Sequence, residues 1–285
     1  MTDATTRFET CETAWCPGCG NFSILNALAR VLGGLGLRPD RVLLVGGIGQ
    51  AAKTPQFVGA HAFCGLHGRA LPPAVAAKLA NPALTVVVTT GDGDSYGEGG
   101  NHFVHAIRRN ADITHIVHDN QIYGLTKGQA SPTTAAGHVT TAQPAGSPNE
   151  PLNPLRLALA LGCGFVARAF TGDPEQLAAI LVAAVRYRGY ALVDVLQPCV
   201  SFNKVNTWEW YRERVRPLGA DHDPTDPEAA YRRASEWGDR IPTGIFFNVE
   251  KPTFADRSPL LRDGGSLVGL APEAGLAERL LEEYR

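Results

Sequence analysis

Two short stretches of this chain read LTVVVTTGDGD (residues 84–94) and ITHIVHDNQIYG (residues 113–124). Each begins with a strand-length run of apolar, β-branched residues and then turns polar. The residues between them, 101–109, favour a helix, so the unit is predicted to be strand, helix, strand. Such a crossover makes the two strands parallel and brings their carboxyl ends to one edge of a sheet. We therefore expect Asp92 and Asn120 to lie side by side at that edge.

A carboxylate and an amide at one sheet edge form a candidate site for a hard cation. Asp92 and Asn120 offer two oxygen ligands, and Mg²⁺ bridging a diphosphate suits that pair. Glycines flank the aspartate, and Gly93 allows the backbone to approach a phosphate closely. Gly-Asp-Gly by itself also marks an ordinary tight turn after a strand. Asn120, which follows the next predicted strand, favours the metal site over the turn.

Length and composition favour one large domain. The chain has 285 residues, of which 44% are hydrophobic, enough for a sizeable core. Its formal net charge of −2 does not provide the basic surface that nucleic-acid binding requires. Residues 1–10 are polar and no run of eighteen apolar residues occurs, so we expect neither a signal peptide nor a membrane span. The chain is expected to be cytoplasmic, where its six cysteines favour metal or redox chemistry over disulfides.

Apolar periodicity along the chain predicts an α/β fold, a parallel sheet with helices on both faces. Helices are predicted at residues 21–35, 72–79, 101–109, 154–161, 175–187 and 272–284, and further strands at residues 41–46, 165–170 and 191–196. Residues 127–153 are rich in Gly, Pro, Ser and Thr, which is typical of a loop over a ligand. We predict a domain over residues 1–205. Residues 206–285 are predicted to form a C-terminal extension that packs on the domain or on a partner subunit.

Three further motifs surround the strand pair, in the order WCPGCGN (residues 15–21), HGRALP (residues 67–72) and YGLTKGQ (residues 123–129). Gly-Asp-Gly followed by an asparagine resembles the motif with which enzymes bind thiamine diphosphate (ThDP). All four motifs together resemble the β subunit of 2-oxoacid:ferredoxin oxidoreductases, over roughly residues 8–205. The usual ThDP motif ends in two asparagines, whereas the first of the two is Asp119 here.

The resemblance implies a ThDP-binding fold and an enzyme that works as part of a hetero-oligomer. Such enzymes oxidatively decarboxylate a 2-oxoacid, pass electrons singly through an iron–sulfur cluster to ferredoxin, and transfer the acyl group to coenzyme A. The implied partners are therefore an α subunit, ferredoxin, the 2-oxoacid and coenzyme A. Matched residue by residue, Asp92, Asn120 and the carbonyl of Ile122 would hold Mg²⁺. The residues expected to contact ThDP are Ile48, Gly49, Gln50, Ala51, His67, Gly93, Asp94, Gly124 and Leu125.

Three basic residues are candidates for catalysis through the same match. His67 is either a contact to the cofactor or an ordinary loop histidine. Lys127 follows the metal-ligand loop and would lie near the substrate carboxylate or coenzyme A, although most lysines are simply solvated. Lys53 matches a position near the substrate tail, where a cation would favour a dicarboxylate such as 2-oxoglutarate over pyruvate.

The cysteines depart from the family pattern at one position. A [4Fe–4S] cluster binds four thiolates. The resemblance assigns three of them to Cys16, Cys19 and Cys199. The remaining position is occupied by Gln50, whose neutral amide is a poor ligand for iron beside sulfide.

Three outcomes follow from this ligand count. The cluster persists on three cysteines, as a three-iron form or with a non-cysteine fourth ligand; or Cys11 or Cys64 replaces the missing thiolate; or no cluster forms. Retention of the other three cysteines favours a cluster. A redox dithiol or half of a zinc site is the alternative for Cys16 and Cys19, although no second pair has zinc spacing. Cys163 lies in an apolar stretch and is predicted to be a buried core thiol.

One catalytic group that ThDP requires has no match in this chain. We find no motif for the glutamate that helps to activate the aminopyrimidine ring, and in related enzymes it comes from the α chain. The cofactor site is therefore expected at a subunit interface. Trp208, Trp210 and Tyr211 either belong to that interface or cover a C-terminal helix. Two other functions stay open: a ThDP-dependent decarboxylase or transferase that is not coupled to ferredoxin, and a non-catalytic assembly subunit.

Overall fold

The computed structural model describes residues 8–269 and 273–285, which contain one eight-stranded sheet. Its strands are β1 (Val42–Gly46), β2 (His61–Cys64), β3 (Thr85–Gly91), β4 (Ile113–Asp119), β5 (Phe165–Phe170), β6 (Tyr190–Leu196), β7 (Val215–Pro217) and β8 (Ile241–Asn248). Their order across the sheet is β2-β1-β3-β4-β6-β5-β8-β7. The first six strands are parallel to one another, which confirms the predicted parallel sheet.

The last two strands extend the predicted sheet. β8 pairs antiparallel with β5 and parallel with β7, so the sheet is mostly rather than wholly parallel. Both strands come from residues 206–285, so the C-terminal extension contributes strands to the main sheet. The sequence of β8 contains Pro242 and Gly244, which are unfavourable inside strands, and therefore does not indicate a strand. The division at residue 205 stays a prediction.

Helices cover both faces of the sheet, as predicted. They are α1 (Asn21–Gly34), α2 (Leu71–Ala80), α3 (Gly100–Arg109), α4 (Pro154–Ala160), α5 (Pro174–Arg186), α6 (Trp208–Arg214), α7 (Pro227–Ala234), α8 (Phe254–Arg257), α9 (Pro259–Gly264) and α10 (Leu276–Glu283). The apolar residues of α1 and α5 form one buried cluster with the sheet, and those of α2, α3, α4 and α7 form a second. Pro272, at the start of the last predicted helix, lies outside the described residues. No helix in the described ranges is long and apolar enough to span a membrane.

Three aromatic residues of α6 pack against a small core of this chain. Tyr211 of α6 is fully buried in a small core with Phe170 at the end of β5. Trp208 and Trp210 are partly buried and pack against the same core. The buried ring of Tyr211 offers little surface to a partner subunit, and whether Trp208 and Trp210 belong to the interface or cover a C-terminal helix stays a prediction.

Two histidines of β4 are buried. His118 Nδ1 lies 2.9 Å from Asn21 Oδ1, at the start of α1. His115 is surrounded by the hydroxyl groups of Thr90, Ser95 and Tyr190. Burial lowers the pKa of each imidazole to about 3, because the charged form would lose its hydration.

Mild acid is therefore expected to destabilise the chain. A histidine with a pKa near 6.5 when unfolded and about 3 when folded stabilises the fold above pH 6.5, and this contribution is lost as the pH falls towards 3. The loss at pH 5 is about 2 kcal/mol per histidine. We expect His118→Asn, which keeps a donor for Asn21, to reduce the difference between the urea unfolding free energies at pH 7 and pH 5. His61→Asn, at an exposed position, is the control. An undiminished difference in His118→Asn contradicts the prediction.

Candidate cofactor site

One pocket lies at the carboxyl ends of β1, β3 and β4. Its lining includes every residue that the resemblance predicts to contact Mg²⁺ or ThDP. The lining residues are Ile48, Gly49, Gln50, Ala51, His67, Gly91, Asp92, Gly93, Asp94, Asn120, Ile122, Tyr123, Gly124, Leu125 and Thr126. Four loops that are distant in sequence thus meet at one edge of the sheet.

Asp92 is a buried carboxylate held by a distant loop. It lies between β3 and a short π-helical turn, Gly93–Glu98. Its Oδ2 accepts hydrogen bonds from Ser131 Oγ at 2.5 Å and from Thr133 Oγ1 at 2.6 Å. Burial raises the pKa of Asp92 to about 6, and the two hydroxyl donors oppose that rise. The carboxylate is therefore anchored through one of its two oxygens.

The turn after β4 brings an amide to the same pocket. β3 and β4 pair directly, so Asp92 and Asn120 follow neighbouring strand ends. Asn120 Oδ1 accepts a hydrogen bond from the main-chain N–H of Ile122 at 3.0 Å, which orients the side chain. Gln121, which lies between Asn120 and Ile122, has a φ of 58°, a left-handed conformation that bends the chain sharply.

Asp94 connects two other loops of the pocket. Its Oδ1 accepts hydrogen bonds from the main-chain N–H groups of Ile48 at 3.1 Å and Gly68 at 2.7 Å. A Cβ atom on Gly47 would lie 2.1 Å from Asp94 Oδ2, so this loop can pass the carboxylate only as glycine. Burial raises the pKa of Asp94 despite the two hydrogen bonds.

His67 lies between two acidic side chains at the pocket. Its Nδ1 is 3.2 Å from Glu98 Oε2, and its Nε2 is 3.7 Å from Asp94 Oδ1. The hydroxyl of Tyr123 donates to the same Glu98 oxygen at 3.0 Å. A Cβ atom on Gly93 would lie 2.1 Å from Tyr123 Cε1, so glycine is required where the ring crosses the backbone. These contacts give His67 a defined position at the pocket.

The two candidate lysines lie outside this lining. Lys53 is half-buried in a short 3₁₀ turn, Ala51–Gln56, which begins at the pocket. Lys127 is exposed and has a φ of 77° in the loop after β4. Their roles toward substrate or coenzyme A stay predictions.

Sequence reasoning did not identify the residues behind the pocket. Thr133 Oγ1 donates to Asp92 and also lies 2.9 Å from Asp119 Oδ1. Ser131 and Thr133 belong to the stretch SPTT (residues 131–134), in the loop that composition predicted to cover a ligand. The cluster of hydroxyl residues in this stretch could have indicated a polar site, but the local sequence does not indicate that it contacts Asp92.

A buried ion pair lies in the same layer. Arg168 Nε is 3.6 Å from Asp194 Oδ2, and both side chains are almost fully buried. The hydroxyl of Tyr96 donates to Asp194 Oδ1 at 2.9 Å. Burial raises the pKa values of Asp119 and Asp194, and the charges of Asp92, Asp119, Asp194 and Arg168 influence one another. When ionised, the three carboxylates would carry three negative charges, against the one positive charge of Arg168. A divalent cation at Asp92 would balance the difference of two charges.

A second cavity adjoins the first, and its lining includes three of the six cysteines. The two cavities share Gln50, Asn120 and Gly124. The rest of the second lining is Trp15, Cys16, Cys19, Asn21, Gln197, Cys199, Val200, Ser201 and Phe202. We call it the thiol cavity. Over residues 8–269 and 273–285, no three His, Cys, Asp or Glu side chains converge as ligands of a single metal ion.

The other cysteines lie elsewhere. Cys11 and Cys64 are exposed, and each contacts Gln56 rather than the thiol cavity. Cys163 is buried, which confirms its prediction as a core thiol, and burial raises its pKa to about 12.

Comparison with known families defines the class of protein. Residues 47–195 match the family described as thiamine pyrophosphate enzyme, C-terminal TPP binding domain, thiamine pyrophosphate being ThDP. Residues 199–263 match the family described as the C terminal of the pyruvate ferredoxin oxidoreductase beta subunit. The chain is therefore a ThDP-binding protein of the α/β type, and the second match covers much of the C-terminal extension.

Individual relatives define the family more closely. A 2-oxoacid:ferredoxin oxidoreductase subunit beta from Saccharolobus solfataricus is 46% identical over 272 residues, 87% of this chain and 88% of the relative. A 2-oxoglutarate synthase subunit KorB from Methanocaldococcus jannaschii is 33% identical over 250 residues, 85% of this chain and 90% of the relative. A solved 2-oxoglutarate:ferredoxin oxidoreductase from Magnetococcus marinus, with 2-oxoglutarate, coenzyme A and succinyl-CoA bound, has a TM-score of 0.90 and 36% identity, covering 98% of this chain and 96% of that chain. This chain belongs to the family of 2-oxoacid:ferredoxin oxidoreductase β subunits.

Proposed function

We propose that this chain is the β subunit of an enzyme that oxidatively decarboxylates a 2-oxoacid, forms acyl-CoA and CO₂, and passes the electrons to ferredoxin. The observation that carries the proposal is the pocket at the ends of β1, β3 and β4, whose lining contains the complete predicted set of ThDP and Mg²⁺ contacts. The adjoining thiol cavity shares residues with this pocket and supports an electron route out of it.

The pocket suits a bound ThDP–Mg²⁺ complex. Asp92, Asn120 and the carbonyl of Ile122 would hold Mg²⁺, whose charge would offset the excess of buried carboxylates behind Asp92. Gly93, Asp94, Gly124 and Leu125 would lie along the diphosphate, where Gly93 permits close approach of the backbone. When bound, ThDP supplies a stabilised carbanion and an electron sink for decarboxylation.

The remaining contacts of the cofactor would come from the opposite wall of the pocket. The loop Ile48 to Ala51 and His67 would hold ThDP from that side. Asp94 keeps this wall in place, because its carboxylate binds the main chain of Ile48 and Gly68. His67 would be oriented by Glu98 and Asp94. The protein thus positions the cofactor from loops that its own buried carboxylate connects.

The site requires a partner chain for activity. Glu98 lies beside the pocket, where its carboxylate already contacts His67 and Tyr123. It is therefore not free to activate the aminopyrimidine ring, which leaves this role to an α subunit. Two apolar residues of the lining, Ile48 and Leu125, are 43% and 42% exposed, as expected for a pocket that is completed by a second subunit.

The test is turnover by the purified complex of this chain with its α subunit. We expect CoA-dependent reduction of ferredoxin or viologen when a 2-oxoacid is added under anaerobic conditions. A ThDP enzyme that is not coupled to ferredoxin would bind the cofactor and release CO₂ without reducing either acceptor. An assembly subunit would bind no ThDP. Either result overturns the proposed function and identifies which alternative is correct.

Lys53 is proposed to favour dicarboxylate substrates. A cation near the substrate tail would interact with the second carboxylate of 2-oxoglutarate, an interaction that pyruvate cannot make. Lys53→Ala is therefore expected to lower kcat/KM for 2-oxoglutarate relative to pyruvate by about tenfold, the effect of roughly 1.4 kcal/mol of binding energy. Lys78→Ala, which removes a lysine paired with Asp112 on another part of the chain, is the control. An unchanged ratio of the two kcat/KM values rules out this role of Lys53.

A further inference from the structure

The thiol cavity is chemically asymmetric. Cys16, Cys19 and Cys199 offer three sulfur donors, whereas Gln50 contributes an amide to the same lining. Thiolates are soft ligands that suit iron–sulfur clusters, and an amide oxygen is hard and neutral. A ligand of this cavity would therefore bind three sulfur atoms and face the amide of Gln50 at its fourth position.

The main chain of Gln50 is held in place, whereas its side-chain oxygen lacks a partner among the described residues. The indole N–H of Trp15 donates to the main-chain carbonyl of Gln50 at 2.9 Å. The side-chain oxygen Oε1 is buried and has no hydrogen-bond partner within the described part of the chain. Leaving a buried acceptor without a donor is unfavourable. This oxygen is therefore placed to accept a hydrogen bond from a group bound in the cavity.

The sulfur donors reach the cavity from two segments of the chain. Cys16 and Cys19 precede α1, and Cys199 follows β6. Three thiols that line one cavity are donors that suit an iron–sulfur cluster. A structural zinc ion binds four protein ligands, whereas this lining contains three thiols and no histidine.

We propose that the thiol cavity holds an iron–sulfur cluster through three thiolates only, and that the iron nearest Gln50 carries an exchangeable non-protein ligand. The ligand is water or hydroxide, and the amide oxygen of Gln50 accepts its hydrogen bond. Exogenous small thiols would displace it, because thiolate is the softer ligand. The inference rests on the proposed function, and it specifies the form of the cluster that the family pattern left open.

Recruitment of another cysteine is the competing arrangement. Cys11 and Cys64 are exposed and lie outside the lining. Cys11 Sγ is 3.6 Å from the carbonyl of Gln56, and Gln56 Nε2 is 3.7 Å from Cys64 Sγ. Both thiols are therefore held near the same surface glutamine. Using either as the fourth ligand would require rearrangement of residues that already have contacts elsewhere.

The test uses the purified, reconstituted αβ complex without substrate, so that it is independent of turnover. EPR spectra and iron and sulfide contents are measured for the wild type and for Gln50→Cys, which provides the missing thiolate. Mild oxidation is expected to remove one iron per cluster from the wild type and to produce the EPR signal of a three-iron cluster, reversibly on adding Fe²⁺ and reductant. A small thiol such as 2-mercaptoethanol is expected to change the spectrum of the reduced wild-type cluster. Gln50→Cys is expected to lose both responses.

Controls separate this inference from its alternatives. Gln176→Cys adds a thiol on α5, outside the thiol cavity, and is expected to behave as the wild type. Replacing Cys11 and Cys64 together with serine is expected to leave iron content and both responses unchanged. Loss of the cluster in that double variant overturns the inference in favour of recruitment. The inference is also overturned if the wild-type complex contains no iron, or if it keeps all its iron on oxidation and its spectrum does not change on adding thiol. Failure of viologen reduction alone contradicts the proposed function and not this inference.

Discussion

Asp92→Asn is expected to weaken Mg²⁺-dependent ThDP binding by more than about 100-fold. Mutation of residues that only hold metal ligands in place already lowers metal affinity about 10–100-fold, and a direct ligand should have a larger effect. Asp92 is the single carboxylate in the proposed ligand set, and the remaining ligands, Asn120 and the carbonyl of Ile122, are neutral. Asparagine keeps the shape of the side chain and its acceptor toward Ser131 and Thr133, but it removes the charge that attracts the cation. Isothermal titration of the αβ complex with ThDP at several Mg²⁺ concentrations measures the effect.

The same substitution is expected not to destabilise the chain without cofactor. Burial raises the pKa of Asp92 to about 6, so ionisation of this side chain is less favourable in the folded protein than in the unfolded chain. Protonated Asp92 makes its full contribution to the free energy of unfolding below the pKa that it has in the unfolded chain. This contribution is lost as the pH rises through about 6. Removal of the charge is therefore expected to maintain or raise the unfolding free energy at pH 7. Asp40→Asn, at an exposed position, is the control for binding. Cofactor affinity within threefold of the wild type would exclude Asp92 as the metal ligand.

Arg168→Met is expected to destabilise the chain by about 3–5 kcal/mol, because it leaves the buried carboxylate of Asp194 without its ion-pair partner. The side chains of Arg168 and Asp194 are 2% and 1% exposed, so water cannot replace the lost partner. Arg30→Met is the matched control, since its ion pair with Glu175 has side chains 54% and 81% exposed. Exposed pairs of this kind contribute about 0–1 kcal/mol. Urea unfolding at pH 7 compares the two variants.

A double substitution separates the ion pair from packing. Asp194→Asn keeps an acceptor for the hydroxyl of Tyr96 but removes the charge. We expect Arg168→Met combined with Asp194→Asn to recover most of the stability lost in Arg168→Met, because no uncompensated charge remains. If the double variant is as unstable as Arg168→Met, the loss comes from packing around Arg168, whose guanidinium also lies 5.2 Å from the ring centre of Trp237.

The thiol cavity illustrates the limit of motif matching. Cys16, Cys19 and Cys199 are recognisable in the sequence, and so is the departure at Gln50. Whether Cys11 or Cys64 lies near enough to compensate depends on their positions in space, and the fold directs both to Gln56 instead. The sequence also offers no indication that the oxygen of Gln50 is buried without a partner.

Residues 84–124 alone were sufficient to predict the strand–helix–strand unit and the placement of Asp92 and Asn120 at one edge of the sheet. The reason is that apolar periodicity and the right-handed crossover act locally, and they determine which strand ends meet. The same local information predicted helices on both faces of a parallel sheet. It did not indicate β7 and β8, which lack strand periodicity: β8 forms on the free edge of β5, and β7 forms in turn on the edge of β8.

Only the tertiary structure determined what surrounds the acid at the end of β3. Ser131 and Thr133 reach Asp92 from a loop without periodicity, and Arg168 pairs with Asp194 across two neighbouring strands. Such contacts join residues far apart in the chain, and no local propensity encodes them. They form because a buried carboxylate must find donors or an opposite charge within the fold that encloses it.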